Sequence, residues 1–69
     1  MTFQRFLITA REEKGISQEE LAELSGVELH AIRRYESGKG GISLDTTDKL
    51  CKALGKAFAV GDVYYYSHN

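Results

Sequence analysis

The stretch GVELHAIRRYESGKGG, residues 26 to 41, holds His30, Arg33, Arg34 and Lys39 between glycines, with Glu28 and Leu29 at its leading end. Each side chain has a partner on nucleic acid. A guanidinium bonds guanine O6 and N7 together, an imidazole N–H donates to a base acceptor, a carboxylate accepts from cytosine N4, and leucine lies against a thymine methyl. Upstream, Ser17 and Gln18 offer hydroxyl and amide donors at an apparent helix start, where free N–H groups and the helix dipole suit an anion. The plain alternative for such charge is a solvated helix surface. Catalysis asks for a different pattern, a nucleophile with a base and an orienting partner. Cys51, His30 and His68 offer none. One cysteine allows no internal disulfide, and with two histidines it makes no metal framework. The expectation is a non-enzyme with no cofactor and no metal.

The chain has 69 residues, nine basic and ten acidic, and a net charge of −1. That balance argues weakly against a polyanionic partner, because phosphate neutralisation supplies much of the affinity for nucleic acid. The distribution is uneven, however. Glu12, Glu13, Glu19, Glu20 and Glu23 crowd the first third, while Arg33, Arg34 and Lys39 fall together. A dipolar surface can bind DNA through its basic face. No apolar run is long enough to cross a bilayer, and Arg5 and Arg11 with two glutamates interrupt the N-terminal apolar residues, so no signal peptide is expected. The chain reads as cytoplasmic, without a membrane partner.

Four helices are expected to position these groups. Phe3, Phe6, Leu7 and Ala10 follow helical spacing, with Thr2 as N-cap and Gly15 as stop. Ser17-Gln18-Glu19-Glu20 opens a second helix as a capping box, and Ser25-Gly26 ends it. Val27, Ile32 and Tyr35 suit the buried side of a third helix that stops at Gly38. Ser43 caps a fourth, with Leu44, Thr47, Leu50, Cys51 and Leu54 on one face. In the tail, Gly61-Asp62 between apolar runs makes a hairpin turn or starts a helical turn.

Two short helices meeting at Gly26, with small Ala22 in the first, describe a helix-turn-helix, which sets its second helix in the major groove. Here AREEKGISQEELAELSGVELHAIRRYESGKG resembles the Cro and lambda-repressor-like (XRE) helix-turn-helix family, and ISLDTTDKLCKALG its usual fourth helix. The resemblance implies an all-α, compact bundle of four to five short helices. It also implies sequence-specific binding of duplex DNA, commonly by a homodimer on a two-fold operator. By position, Glu28, Leu29, His30, Arg33 and Arg34 would face the groove from a recognition helix at about 28–37, and Ser17 and Gln18 would meet a phosphate. Lys39 and Gly40 would follow the backbone in the next loop. Arg11 and Glu36 stand where the family often places a buried ion pair.

Residues 1–57 are thus expected to form the DNA-binding domain and 58–69 an aromatic tail. Val63, Tyr64, Tyr65 and Tyr66 are too apolar for a solvated end. They would pair two copies or fold back on the core. The leading expectation is a transcriptional regulator. The competing one is a protein-interaction module, such as an antitoxin, that binds a partner protein through the same scaffold; the acidic balance, Glu28 and Leu29 favour it.

Overall fold

A computed structural model describes residues 2–60 and 63–66. Helices α1 (Phe3–Lys14), α2 (Gln18–Ser25), α3 (Leu29–Glu36) and α4 (Leu44–Leu54) are followed by strands β1 (Ala57–Val60) and β2 (Val63–Tyr66). The four helices form the expected helix-turn-helix bundle. Of the two conformations open to the tail, it takes the strand pair: β1 and β2 are antiparallel, with Val60 opposite Val63 and Ala57 opposite Tyr66, and β2 lies against α4. The turn expected at Gly61-Asp62, and His68, lie outside the described residues.

The helix starts follow from side-chain capping of free backbone amides. Thr2 Oγ1 accepts from Arg5 N at 3.2 Å, and Ser43 Oγ from Thr46 N at 3.1 Å. At α2 the capping box is complete: Glu20 N donates to Ser17 Oγ at 3.0 Å, and Ser17 N donates to Glu20 Oε1 at 2.8 Å. The exception is α3. Glu28 holds its N-cap position, yet the carboxylate bonds no backbone amide. The turn into α3 needs Gly26, whose φ is 76°. The end of α3 is a Schellman motif, with Gly38 N donating to Tyr35 O and Lys39 N to Arg34 O around a φ of 78° at Gly38.

The core joins Phe6, Leu7 and Ala10 of α1 to Leu21, Val27, Ile32, Leu50, Cys51 and Leu54. Ala22 and Tyr35 pack partly buried against it, and Phe3 meets Tyr35 edge-on at 6.4 Å. Thr47 is buried as the α4 pattern requires, but Leu44 is 63% exposed. It is the first residue of the helix, where the stripe overruns the edge of the core. The Cys51 thiol is fully buried, and burial, then the charge of Asp48, raises its pKa.

One polar lock crosses this core. Arg11 Nε donates to Glu36 Oε2 at 2.7 Å and Arg11 Nη2 to Glu36 Oε1 at 2.9 Å, in the two-pronged geometry that makes guanidinium–carboxylate pairs strong. The remaining prong, Nη1, donates to Ile16 O at 2.9 Å, and Gln4 Nε2 donates to Glu36 O at 2.8 Å. The bond to Glu36 is the main reason the Arg11 pKa is raised. The pair ties α1 to α3, at the two positions that the family resemblance singled out.

Removing one partner strands the other charge in the interior. Glu36→Ala should therefore cost about 3–5 kcal/mol in urea unfolding, whereas Arg11→Met/Glu36→Leu together should cost less than Glu36→Ala alone. At α3, Glu28→Ser would supply the missing cap. It should raise stability by about 0.5–1 kcal/mol in the same measurement, and an unchanged midpoint would show that the Ser17-type bond cannot form there.

Candidate nucleic-acid interface

Burial of Ile32 and Glu36 fixes the rotation of α3 about its axis. Positions 30, 33, 34 and 37, at helical spacing, are left as an exposed stripe of His30, Arg33, Arg34 and Ser37. Glu28 is exposed at the leading end of this stripe, while Leu29 is half-buried and divides its surface between core and face. An α-helix with its side chains is about 10–12 Å across, which the major groove, about 12 Å wide, admits.

None of the stripe's basic groups is bare. His30 Nδ1 lies 3.4 Å from Glu28 Oε2, and Arg33 Nη2 lies 3.6 Å from Glu19 Oε2 on α2. Arg34 takes a third course. Its guanidinium carbon sits 5.7 Å from the centre of the Tyr35 ring, a cation–π distance, and its side chain runs beside Gly40, where an added Cβ would lie 3.5 Å from Nε. Arg34 is thereby drawn towards the loop that carries Lys39, and both Lys39 and Gly40 are exposed.

At the start of α2, Ser17 is exposed and Gln18 half-buried. Ser17 Oγ accepts the capping bond, which leaves its own hydroxyl hydrogen free to donate outwards. Gln18 Nε2 donates to Glu36 Oε1 at 3.1 Å, so one amide hydrogen joins the buried lock while a second remains. The first two backbone amides of a helix have no acceptor within it. Here they sit among Glu19 and Glu20, both exposed carboxylates in the first turn.

The helix-turn-helix thus gathers Ser17, Gln18, Glu28, Leu29, His30, Arg33 and Arg34 onto α2 and α3, with Lys39 and Gly40 in the loop after them. The side chains of Val63, Tyr64, Tyr65 and Tyr66 lie outside what is described. Three features of the site escape a reading of the sequence. The Glu19–Arg33 pair joins residues 14 positions apart on two helices, so no local spacing announces it. The Tyr35 ring under Arg34 and the Gln18 bond to Glu36 also need the packed bundle; only the adjacency of Arg34 and Tyr35 offered a signal. Among the described residues no group of three or more histidines, cysteines and carboxylates is placed to hold a metal, and no helix is long and apolar enough to cross a membrane.

Comparison with known proteins agrees with this geometry. A helix-turn-helix family model matches residues 7–60. A Haemophilus influenzae protein named as an uncharacterized HTH-type transcriptional regulator is 44% identical over 54 residues, covering 78% of this chain and 55% of its own. A Pyrococcus furiosus protein bearing the name of an HTH-type transcriptional regulatory protein is 45% identical over 40 residues, 58% of this chain and 13% of its own. The chain therefore spans about half of the first relative and a small part of the second. No solved structure matches significantly. The match over most of the chain, on a bundle whose α2 and α3 meet at the Gly26 turn and are held by the Glu36 lock, places the chain in the Cro/lambda-repressor-like (XRE) helix-turn-helix family.

Proposed function

We propose that this protein is a cytoplasmic transcriptional regulator that binds a specific duplex DNA operator through α3, as a homodimer. The observation that carries the reading is the stripe of His30, Arg33 and Arg34 on a helix whose opposite side is locked to the core. Glu28, Leu29, His30, Arg33 and Arg34 read base edges in the major groove. Ser17, Gln18, Lys39 and Gly40 hold the flanking phosphates, which set register without reading sequence. Residues 1–57 form the binding domain and 58–69 the tail.

Size supports dimerisation. Half-sites on one face of DNA lie about 34 Å apart. The longest dimension of the bundle is 31 Å, so one copy spans one half-site. The tail is the candidate contact, with Val63, Tyr64, Tyr65 and Tyr66 at the interface. A two-stranded ribbon of four-residue strands is marginal alone, and each strand is paired on one side only among the described residues.

Selection from a random-sequence duplex pool with the purified protein tests the proposal. Recovery of a two-fold motif, with affinity that falls steeply as salt is raised, is expected. No retardation of any duplex in dilute buffer would instead leave a module that binds only protein.

Two substitutions divide the roles. Arg34→Ala should lose about 1–3 kcal/mol on the selected operator and less on random duplex, measured by gel retardation. Lys39→Ala should weaken both alike and flatten the salt dependence. Equal losses for Arg34→Ala would make it a backbone contact, allied to the loop it lies beside.

A further inference from the structure

We propose that Glu19, on α2, is a specificity-determining residue that acts through Arg33. The proposal rests on the DNA-binding reading above. Arg33 Nη2 lies 3.6 Å from Glu19 Oε2, with the two side chains 56% and 64% exposed. The pair is the described ionic contact between the start of α2 and the exposed stripe of α3. A guanidinium has five N–H donors along two usable edges. Glu19 occupies part of one edge and leaves the rest to a guanine.

Two effects follow, and they differ between DNA sequences. An untethered arginine on a solvated helix samples many rotamers and finds any nearby phosphate. Held from α2, it is confined to one region of the groove and loses less freedom when it meets the correct base. The same carboxylate compensates the arginine's charge and repels phosphate, which weakens contact with every duplex. Binding to random DNA suffers the repulsion alone. Binding to the operator recovers part of it through the restrained arginine. Specificity arises here from a built-in penalty on wrong partners, as much as from attraction to the right one.

The test measures affinity for the selected operator and for a scrambled duplex over a salt series. Glu19→Gln should tighten scrambled DNA by about three- to fivefold, tighten the operator less, and so lower their ratio. The salt slope on scrambled DNA should steepen by about one, because one more cation reaches phosphate. Glu19→Asp keeps the charge but shortens the reach, so it should lower the ratio without tightening scrambled DNA. In an Arg33→Ala background, Glu19→Gln should leave the ratio unchanged. Melting temperatures close to wild type are expected, since both side chains are exposed. An unchanged ratio in Glu19→Gln, or an equal change with Arg33 absent, would overturn the proposal while leaving the function intact. Failure of the wild-type protein to bind any duplex would overturn both.

Discussion

The orientation of the whole interface depends on one buried carboxylate. Glu36 lies on α3 and is bonded by Arg11 from α1 and Gln18 from α2, while its backbone carbonyl accepts from Gln4. An apolar residue at position 36 would hold α3 in place but tolerate small rotations, because hydrophobic contact is not directional. A carboxylate with fixed donors on both oxygens does not. Since Ile32 and Glu36 define the inward side, the bonds on Glu36 decide where His30, Arg33 and Arg34 emerge. The lock contributes to stability only as long as it is complete, and its larger effect is on geometry.

The surface set by that lock is electrostatically unusual for the DNA reader proposed above. The net charge is −1, and two of the exposed basic residues on α3, His30 and Arg33, are faced by glutamates from the helix's own leading end and from α2. Attraction at long range is therefore small. On the proposed reading, affinity would come from short-range matching in the groove, with the Arg34–Tyr35 stack and the exposed Lys39-Gly40 loop at one end and the donors of Ser17 and Gln18 at the other.

Most of the scaffold was legible in the sequence because its signals are local. Thr2, Ser17 and Ser43 cap within three residues of themselves, and Gly26 and Gly38 mark turns that need positive φ. The Arg11–Glu36 pair spans 25 positions and was readable only through resemblance to a family, since no period in the chain brings the two together. The tail admitted a strand or a helical turn because Phe58 to Tyr66 is short, apolar and rich in residues that suit strands. What escaped was contact between exposed side chains on different helices, as between Glu19 and Arg33. Such pairs depend on the crossing of α2 and α3, which sequence spacing does not encode. Leu44 escaped for a related reason: a helical stripe does not reveal where the core beneath it ends.

The burial of Cys51 has a consequence for signalling. Redox-sensing proteins rely on an accessible thiol of low pKa, often with a second cysteine beside it to capture the oxidised sulfur. In this bundle the lone thiol is fully buried in the core and its pKa is raised. Peroxide and disulfide exchange have no purchase on it, so the folded bundle keeps the same surface in reducing and oxidising surroundings. Within the folded bundle, then, Cys51 offers oxidants no switch.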